Sequence, residues 1–229
     1  MFKNTDYKLL PVLFICRNIG KEWRRLHPTF EGFGLTDFNT EQVIERINLL
    51  LQHYGEDTTL SNKLLCSLQL LQLEIGSNGN PLQERFRDKG IYASETWLKK
   101  LWRSLQMFGI KLMMDYTTTP FPRENDKLLV DLFSDYTRDN QTRITLNKCR
   151  LAKNALFLSD LMCADGIHVE EEVFRRETKV SSRYMFPREE PNNKDWQCWD
   201  TFWSDWTKNE DRLRKGLGRW INEGHRNWV

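Results

Sequence analysis

Asn193 to Trp206 reads NKDWQCWDTFWSDW, and this stretch decides the fold. Trp196, Trp199, Phe202, Trp203 and Trp206 recur three and four residues apart. That is the spacing of one face of an α-helix, not the alternation of a strand. Asn193 can cap the free N–H groups at its start. A buried indole removes about 150–250 Å² from water, so such a face predicts the centre of a helical core. The same residue types also dominate docking hot spots. Burial within the chain is the leading reading, and Trp196, Trp199, Trp203 and Trp206 are the alternative candidate interaction face for a partner, such as a polymerase core lying upstream.

Moving outward from this helix, the 3.6-residue period returns again and again. Lys179 to Asn193 is polar, carries Pro187 and Pro191, and predicts a loop or linker. Ile144 to Met162 predicts one long helix with Leu151, Ala155, Leu158 and Met162 on a face. Ala164-Asp165-Gly166 predicts a turn, and His168 to Arg176 a short helix. Glu124 to Phe133 predicts a helix after the Pro120/Pro122 loop. Ser94 to Phe108 predicts another, with Gly109 just past its end. Ile110 to Tyr116 predicts a short extended segment.

Asn39 to Tyr54 and Thr59 to Ile75 predict two helices, Leu60, Leu64, Leu68, Leu71 and Ile75 striping the second. Pro11 suits the first turn of a helix running to about Leu26. Asn222 to Gly224 suits the turn of a C-terminal β-hairpin. The expected fold class is therefore mostly α: an irregular multi-helix bundle with short extended segments and that hairpin. Gly76-Ser77-Asn78-Gly79-Asn80-Pro81 is the clearest break, and predicts a soft boundary between an N-terminal helical subdomain, 1–76, and a C-terminal Trp-rich one, 77–229.

Composition fits a folded chain. Of 229 residues, 39% are hydrophobic and 29% charged, and nine are Trp. Cys16, Cys66, Cys149, Cys163 and Cys198 are isolated thiols, which suits a reducing, intracellular setting, cytoplasmic or nuclear. Leu9 to Cys16 is too short to span a bilayer, so no membrane partner is expected.

Signatures of chemistry are missing from the sequence. His27, His53, His168 and His225 are scattered. Cys163, Asp165 and His168 form the tightest cluster of ligand types, but zinc wants a second ligand pair, so no metal and no cofactor is expected. Gly32-Phe33-Gly34 lacks the Gly-Lys-Ser/Thr ending of a phosphate loop. No adjacent Asp-Asp is present to hold the two metal ions of a polymerase. An enzyme of unfamiliar type would have to draw on residues such as Asp160, Asp165 and His168.

Three basic groups remain. Lys21, Arg24 and Arg25 flank Trp23. Arg143, Lys148, Arg150 and Lys153 lie together with no acid among them. Arg212, Arg214, Lys215 and Arg219 stand close to Trp220. Cations beside aromatic rings can grip phosphates while a ring stacks on a base, so these are the candidate RNA or DNA contacts. Solvated helix faces give the same pattern.

Six blocks together resemble the post-polymerase region of reverse transcriptases from non-LTR-type mobile elements of eukaryotes. They are Pro28 to Asp37 (PTFEGFGLTD), Leu71 to Gly76 (LQLEIG), Thr96 to Trp102 (TWLKKLW), Leu146 to Asp165 (LNKCRLAKNALFLSDLMCAD), Ser182 to Trp199 (SRYMFPREEPNNKDWQCW) and Leu217 to Trp220 (LGRW). They occur in the family's order over nearly the whole chain. Glu31 departs from the pattern, which has glycine there. The fingers, palm and paired aspartates are absent, so no catalytic residue carries over. The resemblance implies a non-catalytic accessory region of a retrotransposon polyprotein, whose parent would be an RNA-directed DNA polymerase. Its implied partners are RNA or DNA, template or primer, and the upstream polymerase core. An independent helical protein-interaction module is the alternative.

Overall fold

The computed structural model describes residues 38–176, 189–208 and 216–221. The chain divides into two compact units, Met1–Leu65 and Cys66–Val229. The described residues form seven α-helices: α1 Phe38–His53, α2 Thr59–Ile75, α3 Phe86–Lys89, α4 Trp97–Phe108, α5 Leu129–Tyr136, α6 Asn140–Ala152 and α7 Asn193–Thr207. Short 3₁₀ turns link several of them, and the described residues pair in isolated β-bridges rather than strands. The fold is mostly α, as the periodicity predicts. The Pro11–Leu26 helix and the Asn222–Gly224 hairpin lie outside the described residues.

α1 buries Val43 and Leu50, whereas Ile44 and Leu51 on the flank of that face stay exposed. α2 starts where Thr58 Oγ1 accepts the Ser61 N–H at 3.1 Å. Its stripe buries Leu64, Leu68, Leu71 and Ile75 but leaves Leu60 exposed.

α2 ends at Gly76, which has φ +64°. Ser77 N–H donates to Gln72 O at 3.0 Å, the wrapped hydrogen bond that closes a helix through a left-handed residue. Gly76 to Pro81 lies within the second unit and is bonded rather than slack. Ser77 Oγ donates to Glu84 Oε1 at 2.6 Å, and Thr119 N–H donates to Asn78 O at 2.7 Å.

α7 forms as its aromatic spacing predicts, but the cap is one residue earlier. Asn192 Oδ1 accepts from the N–H groups of Lys194 and Asp195, and Asp195 accepts the Asn192 N–H in return. This reciprocal pair satisfies donors at the helix start that would otherwise be orphaned. α7 packs on α6, and α6 on α5. Phe133 of α5 meets Phe202 edge-on at 5.2 Å, Trp199 meets Trp203 at 5.6 Å, and Trp203 meets Trp206 at 5.4 Å. Edge-to-face contact suits the ring quadrupoles. Trp199 Nε1–H donates to Val173 O at 3.0 Å and so fastens the Glu171–Phe174 turn over the helices.

Three helix expectations are corrected. Ile144 to Met162 is not one helix: α6 begins after Asp139, whose carboxylate caps Thr142 N–H at 2.7 Å, and it ends at Ala152. Asn154 then adopts φ +54°, and the Leu156 and Phe157 N–H groups donate to Asp160 Oδ2 instead of continuing the ladder. Glu124 to Phe133 contains a turn with Asn125 at φ +61°, so α5 starts only at Leu129. His168 to Arg176 contracts to a single 3₁₀ turn, Glu171–Phe174.

Residues 216–221 lie along 122–124. Gly218 N–H donates to Glu124 O, Glu124 N–H to Arg219 O, and Ile221 N–H to Pro122 O, each at 2.9 Å. A Cβ at Gly218 would sit 2.6 Å from Glu124 Cβ, so the close approach requires glycine. Arg123 is buried beneath this segment. It donates to Gly218 O at 2.9 Å and lies 5.0 Å over the Trp220 ring.

Candidate nucleic-acid interface

The central basic group, Arg143 to Lys153, does not form a solvent-facing patch. Arg150 is buried. Its guanidinium donates to Asn147 Oδ1 at 2.8 Å, Ala155 O at 2.9 Å and the carbonyls of Leu73 and Glu74. Those last two carbonyls end α2, where the helix dipole leaves partial negative charge. Lys153 is buried too. It donates to Glu172 O at 2.8 Å and to Arg175 O, and lies 5.2 Å over the Trp196 ring.

Arg143 donates to Tyr92 Oη, Asp88 O and Ser134 Oγ at 3.1, 3.0 and 2.7 Å. Lys148 pairs with Asp195 at 3.0 Å and Glu189 at 3.5 Å. Burial opposes its charge, but the two carboxylates outweigh burial and raise its pKa. These four expected phosphate contacts are internal fasteners. The sequence shows no acid beside them because their partners are carbonyls and carboxylates distant in the chain. Arg24, Arg25, Arg212, Arg214 and Lys215 lie outside the described residues.

The aromatic face is likewise internal. Trp196, Trp199, Trp203 and Trp206 are all buried within the chain, so they offer no open docking surface. Asp165 and His168 form a self-contained turn. Asp165 Oδ1 accepts the N–H groups of Ile167 and His168 at 2.9 and 3.1 Å, and Oδ2 meets His168 Nδ1. The bond from His168, helped by those backbone donors, holds the Asp165 carboxyl down to about 2. Asp160 is occupied by backbone N–H groups. Among the described residues, no cluster of His, Cys, Asp and Glu is suited to hold a metal ion.

A different segment concentrates positive charge. Residues 85–111 hold seven cations, at 85, 87, 89, 99, 100, 103 and 111, against two acids, Asp88 and Glu95. The excess of +5 there exceeds the +2 of the entire chain, so the remainder is net acidic. Lys89 is taken by Glu84 at 3.2 Å, and Lys99 by Glu95 and Ala93 O, both at 2.7 Å. Arg85, Arg87, Lys100, Arg103 and Lys111 are exposed, with no side-chain ion pair or hydrogen bond among the described residues.

Thr96 caps α4 through Lys99 N–H, and Gly109 ends it. Leu98, Leu101, Trp102 and Leu105 anchor its inner face, with Trp102 Nε1–H donating to Glu84 O at 2.8 Å and Phe86 of α3 edge-on to Trp102 at 4.9 Å. Lys100 and Arg103 consequently face outward on a fixed helix. Together with Lys99 they depress the Glu95 carboxyl, with the Lys99 hydrogen bond first among the causes. A charge count over a sliding window would have found this surface. Grouping cations by close spacing missed it, because the seven are spread from Arg85 to Lys111 over two helices and their flanks.

No family model matches the chain, and neither a curated protein nor a solved structure matches it. No helix among the described residues is long and apolar enough to cross a membrane.

Proposed function

We propose that this chain is a non-catalytic accessory region of a retrotransposon reverse-transcriptase-like polyprotein, and that it engages RNA or DNA through Arg85, Arg87, Lys100, Arg103 and Lys111. The observation that carries the contact is the concentration of unpaired cations on residues 85–111, in a chain that is otherwise net acidic. Free cations on a rigid helix attract phosphate and release counterions when it binds. The polyprotein assignment rests on the order of the six blocks. In addition, the LQLEIG, TWLKKLW, LNKCRLAKNALFLSDLMCAD and LGRW blocks supply the helix ends, buried cations and close approaches that hold this fold together.

The test is fluorescence anisotropy of labelled oligonucleotides with the full chain across a salt series. Binding should weaken with salt, with a log–log slope of about −0.7 to −0.9 per phosphate contacted. The paired substitutions R85Q/R87Q and K100Q/R103Q should each make that slope shallower by about 1.4–1.8. No binding at low ionic strength, or a slope unchanged in all four-fold substituted protein, refutes the contact.

A further inference from the structure

Beside Lys100 and Arg103 runs a ridge of partly exposed apolar side chains. Met107 is 70% exposed, Phe108 45%, Ile110 38% and Met113 86%. They occupy the end of α4 and the segment after it. Along α4, half-buried Trp97, exposed Lys100, half-buried Ser104 and exposed Met107 and Phe108 recur at helical spacing on one side. One strip of α4 therefore reads aromatic, cation, polar, thioether, aromatic, and Lys111 follows past the helix end. Trp97 and Phe108 are eleven residues apart, roughly 16 Å along a helix.

The geometry points to single-stranded RNA or DNA as the occupant of this strip. This deepens the nucleic-acid reading above and rests on it. The cations require an anionic partner. A duplex keeps its base faces stacked inside and offers only backbone and base edges, so Met107, Phe108 and Met113 would find no base face to lie against. A single strand presents phosphates and open base faces together. Its phosphates meet Lys100, Arg103 and Lys111, while bases stack on Phe108 and Trp97 and lie against the polarizable methionine sulfurs. Stacking accepts any base, so the strip should show little sequence preference.

The experiment compares a labelled single-stranded oligonucleotide with a hairpin duplex of equal charge, using the full chain. The single strand should bind more tightly. F108A and M107A should each weaken it by about five- to tenfold at unchanged salt slope, with the duplex unaffected. Circular dichroism should match wild type for both variants, and M107A, whose side chain is 70% exposed, should also keep the wild-type melting temperature. Equal or tighter duplex binding, or wild-type affinity in F108A, overturns the single-strand assignment while leaving the phosphate contact intact. Loss of both ligands in wild type overturns both readings. So does Phe108-dependent flotation with phosphatidylserine vesicles in the absence of any oligonucleotide binding, which would make the strip a membrane contact.

Discussion

Gly76→Ala tests how α2 is joined to the helical core. Two independent penalties meet at this residue. Its φ of +64° is a conformation that costs an L-residue about 1–2 kcal/mol. The added Cβ would also stand 2.5 Å from Cγ1 and 3.0 Å from Cγ2 of Val130, which is itself buried in α5 and unable to swing away. Forcing a methyl into a packed site costs about 1–3 kcal/mol. The lower chain entropy of unfolded alanine returns about 0.4–1 kcal/mol, so the net loss should be about 3 kcal/mol. For a chain of this length that lowers the melting temperature by about 6–12 °C. Gly109→Ala is the control: its φ is +66°, but nothing lies within 4 Å of the new Cβ, so it should lose only about 1 kcal/mol. Val130→Ala in the Gly76→Ala background removes both clashing methyls. A double-mutant cycle by urea unfolding should then show a favourable coupling of about 1–3 kcal/mol. Equal losses at Gly76 and Gly109, or no coupling with Val130, would refute the close approach.

Three further outcomes follow from named contacts. Arg150→Met keeps the aliphatic stem but strips its guanidinium from Asn147 Oδ1, Ala155 O and the Leu73 and Glu74 carbonyls, the last two keeping one donor each in Gly76 N–H and Asn147 Nδ2, and should cost on the order of 3–5 kcal/mol in urea unfolding. Cys66 is exposed, whereas Cys149 is buried and burial pushes its thiol far above the usual range. A thiol reagent on the native protein should therefore modify Cys66 within minutes and leave Cys149 unlabelled until the chain is unfolded, as peptide mapping can show. For Asp195, burial alone would raise the carboxyl, but the Asn192 N–H and Lys148 outweigh it and hold it below its unfolded value. Its contribution is thus present above about pH 4 and lost as pH falls through the folded pKa, so Asp195→Asn should flatten that part of the acid-unfolding curve.

Helix existence is legible wherever apolar spacing and an end signal coincide. The Ser94 to Phe108 stretch has both: the structure ends the helix at Phe108 before Gly109 as expected, and starts it at Trp97, three residues later than the spacing suggests, because Thr96 is the cap. Ile144 to Met162 has the spacing without the stop. Nothing local announces that Asn154 turns left-handed or that Asp160 reaches back to the Leu156 and Phe157 N–H groups. The site was less legible still. Arg143, Lys148, Arg150 and Lys153 resemble a solvent-facing group because the partners of Arg150 and Lys153 are mostly backbone carbonyls, which no sequence marks, and the Lys148 carboxylates, Glu189 and Asp195, lie more than forty residues away. The Trp face had two readings, and the energetics of burying four indoles selects the interior one.

The two classes of cation separate stability from binding in this chain. Arg150 and Lys153 sit among carbonyls, where removing the charge strands several acceptors away from water, so their substitutions act on folding first. Lys100 and Arg103 touch nothing that the fold needs. α4 already has four buried anchors in Leu98, Leu101, Trp102 and Leu105, and Met107, 70% exposed, contributes little burial beside them, while Phe108 is partly buried. Exposed substitutions of this kind usually change stability by less than about 0.5 kcal/mol. An outward strip that leaves part of its apolar area exposed is the feature expected of a contact surface. Variants along α4 can consequently be ranked by binding alone, with the Arg150→Met protein marking what a purely structural loss looks like in the same assay.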